Sequence, residues 1–229
     1  MNKNDVLRML ALAATLILFG MSAPVWAATQ TTTTYDHDAP GEPWGGDFYD
    51  VSKMVVSWDT NDNVQVNVYT NFAGHAGGVS WKGGSINYGD LLIGTGGSGW
   101  DYAFNLDNRT NNNGGTGYLV NYSSPRDMEY YHDEFTGDRK DEIVAVRGPN
   151  RRNPAIATGN WSVVEDNMIS FAFNVASLNL SDSAQLAFRW AQTCANDIAM
   201  GVGKQPGGYT PPFCSEPDWS SQHLSRAPV

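Results

Sequence analysis

Apolar and polar residues alternate with a period of two along much of this chain. In VQVNVY, Val64, Val66 and Val68 fall on one side and Gln65, Asn67 and Tyr69 on the other. MISFAFNV puts Ile169, Phe171, Phe173 and Val175 on one face, and QLAFRWAQ does the same with Leu186, Phe188 and Trp190. Such a period belongs to a strand with one face in the core and one in water. Further segments read as strands: VSKMVVSW (51–58), DLLIG (90–94), WDYAFNLD (100–107), GYLVNY (117–122), IVAVR (143–147) and NWSVVE (160–165). TNDN (60–63) and EDN (165–167) supply turn residues, and ASLNLS (176–181) is expected to form a single helical turn. About nine short strands, separated by Gly- and Asn-rich turns, predict an all-β, single-domain antiparallel β-sandwich of jelly-roll type, with a closed barrel as the competing arrangement.

The N-terminus departs from this pattern. Lys3 and Arg8 precede an apolar run from Met9 to Gly20, which ends in APVWAA, small residues suited to cleavage. Residues 1–28 are therefore expected to be a signal peptide, because the apolar run falls short of the about 20 residues that a spanning helix needs. Residues 29–46, TQTTTTYDHDAPGEPWGG, have no periodicity and read as a flexible lead-in. Residues 47–203 form the expected sandwich domain, and 204–229 a polar C-terminal extension. The mature chain is expected to be secreted, periplasmic or at the cell surface, with no membrane insertion after signal cleavage.

Export changes the reading of the cysteines. The chain has two, Cys194 and Cys214, and in an oxidising compartment such a pair is expected to form a disulfide that ties the extension back to the domain. Closing a loop of roughly 20 residues is worth about 3 kcal/mol in the chain-entropy model. A nucleophilic Cys194 would need a neighbouring base or helix N-terminus, and zinc would need more Cys or His than the scattered four histidines offer. The net charge of −10 becomes more acidic once the leader is removed, since the leader carries Lys3 and Arg8 against Asp5. Nucleic acid and anionic membrane surfaces are thereby excluded as partners, because binding there is driven by clustered Lys and Arg.

Several motifs fail on context. GTGGSG (94–99) has the spacing of a dinucleotide-binding loop, but the strand-like WDYAFNLD follows it where a helix N-terminus would have to receive the phosphates. GGSGWDYAF (96–104) approximates one calcium nonapeptide, a repeat that works only in tandem. Acidic pairs remain as calcium donors: Asp47 and Asp50, Asp59 and Asp62, Asp101 and Asp107, and Asn196 with Asp197. The competing role for each is a turn cap or a solvated face. Haem held by His75 with Met54, Met168 or Met200 competes with core filling by the methionines. His132, Asp133 and Glu134 stand together in the long loop 123–142, where adjacency alone does not build an acid-base pair. Exposed rings beside amides and carboxylates grip sugars, and Trp81, Tyr88 and Trp100 are the candidates. Their competing role is to pack loops onto the sandwich.

GDFYDV, the strand pair after it, GDLLIG leading into WDYAFNLD, and RWAQTCANDIAMG carry a resemblance. Over residues 45–203 the chain resembles secreted bacterial surface proteins of the PEP-CTERM-associated type, whose shared domain looks like a DOMON or family-9 carbohydrate-binding-module sandwich. A final strand of the form W-x-x-x-C-G-N-D recurs in them. Trp190, Cys194, Asn196 and Asp197 match it, and Ala195 stands where Gly is usual. The sorting tail has no counterpart after Cys214, so free secretion or periplasmic residence is expected. The resemblance implies sugar, calcium or haem binding, with a metal near Asp47 and Asp50 and the Asn196–Asp197 turn.

These readings converge on a non-catalytic exported β-sandwich that binds an extracellular polysaccharide or matrix component, with structural calcium as the expected cofactor. Two alternatives stay open. One is a surface or matrix structural protein acting by protein–protein contact. The other is a secreted carboxylate-dependent glycan hydrolase using Asp133 or Glu134.

Overall fold

The computed structural model describes residues 32–35, 46–81, 84–96, 99–121, 128–130, 143–151, 153–181, 184–195 and 198–204. The elements in chain order are β1 (Thr32–Tyr35), a 3-10 turn (Gly46–Phe48), β2 (Val51–Trp58), β3 (Asn63–Thr70), β4 (Ser80–Trp81), β5 (Gly84–Ser85), β6 (Leu91–Gly94), β7 (Tyr102–Leu106), β8 (Gly114–Asn121), β9 (Met128–Tyr130), β10 (Ile143–Val146), β11 (Ala155–Val164), β12 (Met168–Asn174), a 3-10 turn (Ala176–Leu178), β13 (Gln185–Ala191) and β14 (Ile198–Lys204). Ten of these make one antiparallel sheet in the order β1-β14-β13-β6-β7-β8-β11-β12-β3-β2. The all-β, antiparallel, single-domain expectation holds, and the sheet is nearly barrel-shaped. The two layers expected of a sandwich are therefore facing walls of one continuous sheet.

Period-two alternation builds the core. Val64, Val66 and Val68 of β3 are buried, while Gln65, Asn67 and Tyr69 between them are half-exposed. Ile169, Phe171 and Phe173 from β12 and Leu186, Phe188 and Trp190 from β13 join them in one interior cluster with Met54, Val56 and Trp58 of β2. Phe104 stacks on Phe173 with ring centroids 4.9 Å apart and meets Phe171 edge-on at 6.1 Å. Burial of this many apolar side chains is the main stabilising term.

Closure depends on two glycines. β2, at the far end of the sheet order, lies against β14 and β1. A Cβ on Gly201 would come within 2.7 Å of the Met54 sulfur, and one on Gly203 within 2.7 Å of a Val56 methyl. Bare backbone at these positions lets the inner side chains of β2 settle directly on β14.

β6, β7 and β8 are covered on both faces. Leu91, Ile93, Phe104 and Leu119 point into the interior, whereas Leu92, Ala103 and Val120 form a second cluster with Ile143 and Val146 of β10. The paired strands β9 and β10 thus lie over the outside of the sheet there, which explains the unbroken apolar run in DLLIG.

Two strands of the ten-stranded sheet lay outside the sequence-based expectation, as did the short β4, β5 and β9. Thr32–Tyr35, within the stretch read as a flexible lead-in, forms an edge strand with Thr32 opposite Gly201. IAMGVGK (198–204) forms β14, whose glycines erase the apolar alternation. The expected helical turn is present at Ala176–Leu178.

Candidate functional site

The sugar-stacking candidates separate. Tyr88 is corrected: its ring is fully buried in the main core, edge-on to Phe72 and Trp161, so neither face is available to a sugar. Its hydroxyl donates to Asn112 Oδ1 at 2.7 Å and accepts from the Gly74 N–H at 2.7 Å. Burial raises its pKa, outweighing the hydrogen bonds from Gly74, Ala76 and His75 that act the other way, and keeps the phenol protonated. Trp100 is half-buried and packs on the Leu92–Val120 cluster beside Gly94. Trp81 pairs with Gly84 through its backbone, and its side chain lies outside the described residues.

Two of the acidic candidates, Asp59 and Asp101, act as local caps. Asp59 is buried, with Oδ1 accepting from the N–H groups of Asn61 (2.8 Å) and Asn63 (2.9 Å) and Oδ2 from Asn63 Nδ2 (2.9 Å). Desolvation is the largest single influence and pushes its pKa up, but the hydrogen bonds from Asn63 and Asn61 together exceed it and hold the carboxyl below its ordinary value. Asp101 Oδ2 accepts from the N–H and hydroxyl of Thr95, and Asp107 Oδ1 from the Trp161 indole at 3.3 Å. Asp47 and Asp50 are exposed in the turn before β2, where their carbonyls accept from Asn71. That turn does meet the end of β13, through Gln192 Nε2 donating to the Tyr49 carbonyl at 2.7 Å. Asn196 and Asp197, the other half of the expected calcium set, lie outside the described residues, as do His132, Asp133, Glu134 and Cys214. Cys194 is half-buried against the core near Tyr49, whose pKa is raised by burial first and by the cysteine's charge second. Met54, a candidate haem ligand, is core filler lying on Gly201.

One carboxylate overlooked at the sequence level organises the outer layer. Asp90 is fully buried and accepts from five N–H groups: Leu106 N and Arg109 Nε at Oδ1, and Asn105 Nδ2, Arg109 Nη2 and Val146 N at Oδ2. Arg109 also pairs with Glu129 at 2.8 Å. Desolvation weakens the guanidinium's hold on its proton, but Asp90 and then Glu129 more than restore it, and its pKa is raised. With every acceptor position used, this centre is a structural pin for β10.

A second group converges at one end of the molecule. His75, in the loop after β3, places Nε2 2.6 Å from Asp166 Oδ1. Glu165 joins them, with one ligand atom from each of the three residues within 4.8 Å of the others. Both segments are held by backbone contacts: Asp166 N–H donates to the Ala73 carbonyl at 2.8 Å and Thr70 N–H to the Asn167 carbonyl at 3.0 Å. Phe48 lies against the imidazole with ring centroids 5.0 Å apart. EDN was legible as a turn and His75 as a possible ligand, but about ninety residues separate them, so no spacing rule could pair them.

The outer face of the sheet from β2 to β11, with the Thr116 end of β8 beside it, carries polar residues in cross-strand rows. One cross-strand row runs Ser57, Gln65, Ala172, Asn160, Thr116, and the next runs Val55, Asn67, Ser170, Ser162. Gln65 Nε2 donates to Asn67 Oδ1 and to the Ser170 hydroxyl, both at 3.3 Å. β3, β8, β11 and β12 contain no charged residue, in a chain of net charge −10. No family model matches the chain, and no curated protein or solved structure matches it either.

Proposed function

We propose that this is an exported, non-catalytic β-sandwich protein that binds a neutral extracellular polysaccharide or glycosylated matrix component. The observation that carries the reading is a polar face of five adjacent strands, four of which (β3, β8, β11 and β12) hold no charged residue although the chain is strongly acidic. Amides of Gln65, Asn67 and Asn160 both donate and accept, as recognition of sugar hydroxyls requires. The face spans roughly 19 Å across four strand spacings, enough for an extended chain. Half-buried Tyr69 stands on it as a ring-bearing position, with Lys53 Nζ 4.3 Å from its centroid. The leader pattern supports export, and the resemblance to carbohydrate-binding sandwiches points to the same ligand class. Structural calcium at Asp47, Asp50, Asn196 and Asp197 belongs to this reading as a second proposal.

Affinity electrophoresis through gels containing a panel of neutral polysaccharides tests it. At least one polysaccharide should retard the protein, and the double change Gln65→Ala with Asn160→Ala should abolish the retardation while the circular dichroism spectrum is preserved. Unaltered mobility across the panel, combined with concentration-dependent self-assembly, would replace it with a structural protein acting by protein–protein contact.

A further inference from the structure

We propose that His75, Glu165 and Asp166 form a binding site for a divalent first-row transition ion, of which zinc is the representative. The donor set is one imidazole nitrogen and two carboxylates, a combination that suits such ions better than the all-oxygen shell preferred by calcium. In a tetrahedral shell, bonds of about 2.0–2.2 Å limit the separation of donors on one ion to about 3.3–3.6 Å. The three ligand atoms, already within 4.8 Å of one another, need only a side-chain adjustment to meet that limit.

The His75–Asp166 contact alone does not account for Glu165. That pair is complete at 2.6 Å, yet the fold brings a second carboxylate beside the first, a like-charge placement that a cation relieves. The approach is built into the backbone: Gly74 has φ 93°, and a Cβ there would come within 2.7 Å of Glu165 Cγ. Asp166 itself sits at φ 53°. The two loops are clamped by Asp166 N–H to Ala73 and Thr70 N–H to Asn167, bonds that do not involve the donor atoms. Little ordering is therefore left for the ion to impose. Phe48 shields one side of the imidazole, while the exposed carboxylates leave room for water at the remaining positions. In the complex the neutral imidazole gives its Nε2 lone pair to the metal with the single ring proton on Nδ1; a doubly protonated ring first releases one proton to solvent, and no electron is transferred.

Isothermal titration of the full mature chain with zinc chloride at neutral pH, with parallel titrations of calcium and magnesium chloride, tests the proposal. The expected result is one zinc per chain, a rise in Tm reversed by EDTA, and affinity at least about tenfold lower in both His75→Gln and Glu165→Gln. Unfolding of each variant without metal reports separately on the loop contact. No saturable zinc binding overturns the proposal. So does equal affinity in both variants, which would assign the zinc to another histidine, and so does displacement of zinc by equimolar calcium. Polysaccharide retardation measured in EDTA keeps this result separate from the glycan reading.

Discussion

Asp59 shows how a single acidic side chain becomes structure in this protein. Its carboxylate closes the turn between β2 and β3 by accepting three N–H groups, and it is buried while doing so. Asp59→Ala leaves the Asn61 and Asn63 amides without their acceptor and should cost about 2 kcal/mol at neutral pH. Because the folded-state pKa is lowered, this stabilisation is complete above the ordinary aspartate value of about 3.9 and is lost as pH falls through the lowered folded value. Urea unfolding at pH 7 and pH 3 should show the gap between parent and variant shrinking at the lower pH, and a constant gap would refute the assignment. Turn chemistry made Asp59 readable as a cap beforehand, since its partners are two and four positions away. Tyr88 was not readable in this way. Its neighbours in sequence are Asn and Gly, and only the packing of Phe72 and Trp161 from distant segments makes it a core residue. Ala195, where the resembled motif has Gly, takes φ 48°, a left-handed conformation that glycine adopts with least strain.

Among the elements, β10 illustrates a strand held by side chains. Its residues satisfy their backbone groups through the Asp90 N–H and carboxylate, the Asn105 amide, and the guanidinium groups of Arg109 and Arg189. Asp90→Ala removes the acceptor for five donors and leaves Arg109 with the exposed Glu129 as its remaining ion partner, at a cost of about 3 kcal/mol. Denaturant unfolding should register that loss, and native-state hydrogen exchange should show the Val146 amide losing its protection first. Uniform loss of protection across the sheet would show instead that β10 is not pinned locally. Alternation located the strands whose one face meets the interior, such as β3, β12 and β13. It could not locate β14, where glycine replaces the inward apolar residues, nor reveal that β10 lies on the outside of the sheet. The five donors to Asp90 come from two segments, residues 105–109 and Val146, both remote from it in sequence, so no local pattern marks this aspartate.

At the scale of the molecule, one sheet curls until β2 reaches β14, and the interior fills from all sides. The proposed disulfide would add a covalent tie from Cys194 to the extension carrying Cys214. Under oxidising conditions the chain should be about 3 kcal/mol more stable than in reductant. Cys194→Ser should reproduce the reduced state and respond no further to dithiothreitol, and equal stability of parent and variant in both conditions would remove the tie. The same sheet sets the uncharged strands β3, β12, β11 and β8 side by side. Each of those strands is visibly free of charge in the sequence, but their adjacency is not. What the sequence determined by itself was the class of fold and its local chemistry: strand period, turn caps and the buried faces of β3, β12 and β13, all set by residues within a few positions of one another. Tertiary structure alone decided the strand order, the closure over Gly201 and Gly203, the burial of Tyr88, and the meeting of His75 with Glu165 and Asp166. Those depend on which distant segments share space, and that is settled by the packing of the whole core rather than by any local spacing.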